Sequence, residues 1–455
     1  MTSTLHWGSM KPEKRSVAVV VRRDDGAFLV VRRPDDPADP LAGVWGLPAI
    51  TLASGEDERT AVVRAGLVKL GVELAPGDRL GEATADRGSH VLRLANYGAV
   101  IAAGTPSVPQ PDTSVTQYTE CRFTRDPEVL AEAAARGSVC AQVFLAARAE
   151  RGDRADEVAR VAAFRGRAGL DALIDVHTHF MPERLMAAVQ AYFDSAGPLI
   201  GRPWPITYRD GERERVATLR SFGLRAFTAM LYPHKPGMAR SLNEWGADFA
   251  ARTPGCLQTA TFFAEENATA DVRRALEAGA RVFKCHLQVG DFDPNDPLLD
   301  GAWGLLADAC VPVVTHCGSG PVPGRFTGPA PMARLLGRYP ALRLVVAHLG
   351  MPEYTGFLAL AERHGSVLLD TTMAFTPFVE DSGDGDPFPR GELPRLRALG
   401  DRILLGTDFP NIPYTYADAL EALERADLGA DWLRAVCHDN AARIFEIETG
   451  YRYAS

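Results

Sequence analysis

The chain has 455 residues, of which 46% are apolar and 24% charged, and its formal net charge is −9. That balance excludes a disordered chain, and the acidic sign argues against binding nucleic-acid polymers. No run of about 18 apolar residues is present, so neither a membrane span nor a membrane partner is expected.

The N-terminal residues lack the apolar core of a secretory signal. Seven cysteines lie scattered without a CxxC pair, which points to a reduced, cytoplasmic protein rather than a disulfide framework or a thiolate zinc site.

In chain order, residues 16–23 and 27–33 read as strands around an Asp-Gly turn at 24–26. Residues 57–71 read as an amphipathic helix, with Val62, Leu67 and Leu70 on one apolar stripe and Gly71 at the C-cap. Residues 90–104 and 114–124 read as further strands, and 126–150 as one or two helices. This front part, 1–150, is expected to be an α+β domain. Residues 151–170 are rich in Arg and Ala and read as a partly helical linker.

From 171 to 455 the pattern changes to strict strand–helix alternation. The strands expected are 173–180, 225–233, 256–263, 281–287, 312–318, 343–350, 367–373 and 403–409. They are short, continuous and apolar, as strands buried on both faces should be. Eight such units predict an α/β (β/α)8 TIM barrel. The competing doubly wound sheet is weakened because no glycine-rich loop comes after the first strand.

The histidines then become informative. His177 and His179 end the first strand, His316 the fifth and His348 the sixth, while Asp408 ends the eighth. In a barrel these ends share one mouth. Residues i and i+2 of a strand face the same side, so both imidazoles of the HxH pair can reach one ion. Imidazole and carboxylate suit zinc and similar metals, which lower the pKa of bound water from about 15.7 to about 7. An isolated HxH is a weak signal, and lone buried histidines are usually structural. The conjunction at strand ends carries the reading.

The segments DVHTHF, KCHLQVGDFDPNDPLLD, VTHCGSG, VVAHLGMPEY, LLDTTMAF and LLGTDFPNIPY resemble the amidohydrolase superfamily. Within it they are most similar to the amidohydrolase-related branch that includes aminocarboxymuconate-semialdehyde decarboxylase. The resemblance covers about residues 171–447. It implies one divalent metal, most often zinc, held by His177, His179, His316 and Asp408. It implies His348 as the acid/base residue, with Asp408 as the alternative proton acceptor.

Lys284 is open to three readings: a carbamylated bridge between two metals, a charge that positions a substrate carboxylate, or a structural ion pair. His286 and His234 are candidate substrate contacts, and Arg325 is a candidate contact for an anionic substrate. Asp175 is placed to hydrogen-bond a ligand histidine. Cys285 and Cys317 should point away from the axis into the helix layer. The loops 316–331 and 374–392 are expected to shape substrate access.

In the front domain, residues 47–74 resemble a Nudix box, the G-x5-E-x7-R-E-U-x-E-E-x-G-U pattern in which U is apolar. Glu56, Arg64, Gly71 and Val72 match it, and GVWGLP at 43–48 adds to the likeness. The opening Gly is Ile50, and the three helix Glu positions are Ala65, Val68 and Lys69. Active members of that family hold magnesium with those carboxylates, so the resemblance implies an inactive Nudix-like domain. Such a domain could bind a nucleotide-like ligand or a partner, or cover the barrel.

The expected function is metal-dependent hydrolysis of a C–N or C–O bond in a small cyclic or carboxylated metabolite. Nonoxidative decarboxylation of a small carboxylic acid is the alternative, and a Nudix-like sensor on an inactive barrel is the second. A homodimer is left open.

Overall fold

A computed structural model describes residues 11–23, 27–109, 117–380 and 387–447, apart from the side chains of 149–152. The Asp-Gly turn at 24–26, the first residues of the 114–124 strand and residues 381–386 of the 374–392 loop lie outside the described residues. The chain divides into two compact units, Met1–Ala155 and Asp156–Ser455. The helix Val139–Ala168 runs through the residues read as a linker.

In the first unit, β1 (Glu13–Val21) pairs antiparallel with β4 (Ala49–Thr51) and parallel with β6 (Val91–Ala103), which pairs antiparallel with β5 (Glu73–Asp86). A second sheet joins β3 (Trp45–Gly46), β2 (Phe28–Arg32) and β7 (Glu120–Thr124). The side chains of β1 alternate as a strand requires: Val17, Val19 and Val21 enter one core, Ala18 and Val20 another. β5 has no counterpart among the strands read from sequence. Its Pro76, Gly77 and Gly81 and its half-exposed faces hide the period of two.

The helix after β4 corrects the sequence reading. It is α-helical over Glu58–Ala65 and then widens into a π-turn over Gly66–Leu70. A π-turn inserts one extra residue and rotates the helix beyond it. Leu67 is thereby turned out, 56% exposed, and Lys69 is turned in, 3% exposed, while Val62 and Leu70 stay buried. Gly71 closes the turn with φ 64°, the left-handed conformation glycine adopts without penalty.

In the second unit, β8 (Leu173–Asp175), β9 (Leu224–Thr228) and β10 (Cys256–Leu257) form one parallel set. β11 (Thr259–Thr261), β12 (Val282–His286), β13 (Val313–His316), β14 (Leu344–Val346), β15 (Val367–Asp370) and β16 (Ile403–Leu404) form another. β10 and β11 are one strand interrupted at Gln258, giving eight strand positions. The ring closes where Val176 donates to Leu405 O and Asp408 donates to His177 O, each 2.9 Å. This is a (β/α)8 barrel.

Alternation sorts its residues. Ile174, Val282, Val314, Val345, Leu368 and Leu404 fill the barrel interior, with Ala441, Ala442 and Phe445 packed against them. Leu173, Phe283, Val313, Leu344, Val367 and Ile403 pack outward in the core shared with the surrounding helices. Cys285 and Cys317 belong to that outer layer, as alternation requires. The helix segment from Glu157 onward is tied to the barrel: Glu157 accepts from Tyr416 N at 2.7 Å, and Arg160 forks onto Glu421 at 3.0 and 2.7 Å.

Candidate metal centre in the barrel mouth

The mouth holds a cavity of about 550 Å³ lined by His177, His179, Lys284, His286, His316, His348 and Asp408, among others. His177 and His179 lie just past β8, where the chain still pairs on both sides: His179 N donates to Phe409 O and Met230 N to Thr178 O, each 2.7 Å. Asp408 stands four residues beyond β16 with φ 70°.

His177, His179 and Asp408 each offer a ligand atom, and these atoms lie within 4.8 Å of one another. His177 Nδ1 is 2.9 Å from Asp370 Oδ2, so the ring donates there and turns Nε2 toward Asp408, 3.3 Å away. His179 Nδ1 is 2.8 Å from Met230 O, and its Nε2 is 2.8 Å from Asp408 Oδ1. Each imidazole is thus fixed from behind by an acceptor and presents its other nitrogen to a carboxylate, the arrangement of metal-ligating histidines.

Burial pushes His177 down to about 4, with the Lys284 ammonium adding to the effect. The ring is therefore neutral at pH 7, with its lone pair on Nε2, where Lys284 Nζ lies 2.8 Å away. Burial opposes ionisation of Asp408, but the imidazoles of His179, His177 and His348 outweigh it and hold the carboxyl well below its usual range. Two imidazole nitrogens and an anionic oxygen, all facing inward, suit a divalent cation. The donor set fits the metal that the barrel resemblance implies.

His316 is not in that convergent set. Its Nε2 is 2.9 Å from Gly320 O, on the loop that folds back after β13, and its ring stacks on His286 at 4.2 Å. Its ring centroid is 4.7 Å from that of His348. His348 lies in a turn after β14 with φ 57°, a strained left-handed conformation for a non-glycine residue. Its Nδ1 is buried with no hydrogen-bond partner among the described residues.

The residue that organises both histidines, Asp370, had no role assigned from sequence. It ends β15, fully buried, and accepts from His177 Nδ1 through one oxygen and from His348 N and Thr372 N through the other. The signal was there in VLLD: a lone carboxylate at the end of a buried apolar strand needs a partner. Asp175 corrects a sequence expectation. It accepts from the backbone N of His177 at 3.0 Å, Thr407 Oγ1 at 2.6 Å and Tyr416 OH at 3.0 Å, and reaches no ligand ring.

Lys284 is fully buried, with Nζ 2.8 Å from His177 Nε2, and burial lowers its pKa to about 8. His286 lines the cavity, and His234 stands exposed at its rim. Arg325 is corrected: it is exposed, absent from the cavity lining, and folded over the neighbouring Phe326 ring at 4.9 Å. The cavity takes its arginine from the other side. Arg202, in the excursion between β8 and β9, lies over the Phe378 ring at 3.7 Å and lines the wall.

In the front domain two of the residues that resemble a Nudix box are paired. Arg64 forks onto Glu56 at 2.7 and 2.6 Å. Where the resemblance implies carboxylates, Ala65 is buried, Val68 half-buried and Lys69 buried, with its ammonium 5.3 Å from the Tyr118 ring. Burial, helped by Arg33 and Arg64, lowers Lys69 to about 8. A magnesium ion does not fit among these residues.

A family model described as "Amidohydrolase" matches residues 174–447. The "Putative 8-oxo-dGTP diphosphatase 2" of Mycobacterium tuberculosis is 41% identical over 81 residues, 17% of this chain and 55% of that protein. The chain therefore spans about half the length of the curated relatives it matches. Among solved structures, an uncharacterized TIM-barrel protein from Bordetella bronchiseptica aligns with TM-score 0.47 and 18% identity, over 60% of this chain and 98% of that one. A 5-carboxyvanillate decarboxylase from Novosphingobium aromaticivorans, complexed with manganese and a nitrobenzoic acid, aligns with TM-score 0.44 and 15% identity, over 61% and 96%.

Proposed function

The chain belongs to the amidohydrolase family, and we propose that its barrel hydrolyses a C–N or C–O bond of a small, flat, carboxylated metabolite. The observation that carries this reading is the convergence of His177 Nε2, His179 Nε2 and Asp408 Oδ1. These three would hold one divalent ion, zinc in our proposal. His316 is the proposed fourth ligand, on giving up its Gly320 hydrogen bond. When bound, such an ion acts as a Lewis acid that eases deprotonation of water and polarises a carbonyl.

The chain's own groups do the rest. His348, pushed down to about 4 by burial, is neutral at pH 7 and can take a proton from the attacking water and return it to the leaving nitrogen or oxygen. Asp370 keeps the His348 turn and the His177 ring in place. Lys284 and Arg202 supply positive charge to an anionic substrate, and His286 and His234 are proposed contacts. The walls are apolar and aromatic, including Tyr192, Phe193, Trp204 and Val379, which suits a flat ring.

Metal analysis of protein purified without chelator is expected to give about one transition metal per chain. His348→Asn should keep the metal and lose turnover; unaltered turnover would remove its role. Release of CO2 in place of a hydrolysis product would move the chemistry to decarboxylation on the same residues. A second metal together with an increased Lys284 mass would favour a binuclear centre.

We further propose that the front domain has no pyrophosphatase activity and serves as a binding or covering module for a nucleotide-like ligand. This reading is supported by Ala65, Val68 and Lys69, which offer no oxygen ligands where the sequence resemblance implies a magnesium site. Among the described residues no helix is long and apolar enough to cross a membrane. All seven cysteines are free thiols, which supports a cytoplasmic location. Homodimer formation is a proposal that sedimentation would test.

A further inference from the structure

The cavity in the barrel mouth is polar where strands end and apolar where the chain has left them. One wall is the helix Glu183–Ser195, in the excursion between β8 and β9. Leu185, Ala188, Val189, Tyr192 and Phe193 all line the cavity. Their spacing is i, i+3, i+4, i+7 and i+8, the single apolar stripe of an amphipathic helix. The charged residues of the helix, Glu183, Arg184 and Asp194, are absent from the lining.

Such a stripe ordinarily enters a core. Here only Met186 of the helix is buried. Leu185 and Val189 pack partly against a small cluster with Met181 and Leu231, and Tyr192 is 49% exposed. Across the ring the same cavity is bounded by Val289, Pro321 and Met351, which follow strand positions four, five and six. A cavity of about 150 Å³ holds one benzene ring. One ring at the metal-ligand cluster would leave most of the 550 Å³ unfilled and the helix stripe wet. Contiguous apolar surface rimmed by polar groups marks a binding surface.

We propose that this stripe is a tail-binding wall, and that the substrate is an amphiphile whose flat polar head meets the metal-ligand cluster while an apolar chain or second ring lies along the helix. This rests on the reading of the cavity as the substrate site. The floor and the wall belong to one continuous cavity, so head and tail belong to one ligand. Each methylene buried against the wall strengthens binding by up to about fourfold.

The test is binding of benzoate and its 4-methyl, 4-ethyl, 4-propyl and 4-butyl derivatives to the full-length, metal-loaded protein, read by calorimetry without turnover. The matching 4-alkylbenzamides form a neutral series. Wild type should gain about two- to fourfold per added carbon in both series. Val189→Asn should bind benzoate much as wild type does and lose most of the gain of the butyl members. Ala188→Phe, at an exposed position that tolerates a larger side chain, should end the gain at a shorter chain. Ala191→Asn, on the same helix but outside the lining, should leave both series as in wild type.

Benzoate binding with no gain along the chain sinks the inference and leaves the proposed function standing. A gain that persists in both Val189→Asn and Ala188→Phe puts the tail on another wall and overturns it too. If the amides show the gain and the acids do not bind, the apolar wall stands and the carboxylated head falls. If neither series binds, both fall. Were a second copy of the chain the occupant of the stripe, the gain would be absent and Val189→Asn would shift sedimentation toward monomer, which also overturns the proposal.

Discussion

The two halves of this chain treat their candidate sites in opposite ways. In the front domain the Glu56–Arg64 fork, the helix and the closing Gly71 are present, but the positions where the sequence resemblance implies carboxylates are Ala65, Val68 and a buried Lys69. In the barrel the donors converge, and the groups behind them, Asp370 and Met230 O, hold each imidazole by its far nitrogen. The comparison teaches that scaffold and ligands are separable. An ion pair that braces a loop stabilises the fold whether or not a metal is bound, whereas a cluster of inward-facing acceptors is unfavourable without a cation. The presence of such a cluster points to use.

The contrast breaks most sharply at the ligands. His177→Ala or Asp408→Asn should leave well under 0.1 metal per chain and abolish turnover; full metal content in either would place the ion elsewhere. Next is Asp370→Asn, which removes the charge behind His177 and weakens the bond to His348 N. Loss of such an outer partner typically lowers metal affinity about 10- to 100-fold, measurable by competition with a chelator.

His316→Ala comes third. As a fourth ligand it should also lower metal affinity, by less than His177→Ala, because its Nε2 is otherwise engaged with Gly320. Unchanged affinity would make it a wall residue.

The smallest effect belongs to the front domain. Lys69 is pushed down to about 8 in the folded chain against an ordinary value near 10.5. Between those values the unfolded chain binds more protons, so the folded state gains stability as pH rises from 8 to 10.5. Lys69→Met should flatten that rise by up to about 1.4 kcal/mol per pH unit, read from urea unfolding at several pH values. An unchanged slope would show that the ammonium is not buried. The triple change of Ala65, Val68 and Lys69 to Glu sharpens the comparison from the other side: magnesium-dependent pyrophosphate chemistry should appear only if nothing else was lost.

Much of this architecture was legible in advance. The barrel strands are short apolar runs with clear breaks, and their ends carried the histidines and Asp408. Legibility failed where geometry depends on a single inserted residue or on a distant partner. Leu67 and Lys69 exchanged places because a π-turn widened the helix at Gly66. Arg325 turned outward and Arg202 turned inward because loop paths are set by packing, which residue type does not reveal. Asp175 and Asp370 are both lone carboxylates at strand ends, and only the closed barrel shows which one faces an imidazole.

What the sequence by itself determined is the rhythm of strands and helices and the inventory of ligating side chains. Periodicity and donor chemistry are properties of neighbouring residues. Tertiary structure alone decided the pairings: Asp370 behind His177, 193 positions away; Lys284 against the same ring; His316 on Gly320. Those contacts arise from closing eight strands into a ring, which sets side by side groups that chain order keeps far apart.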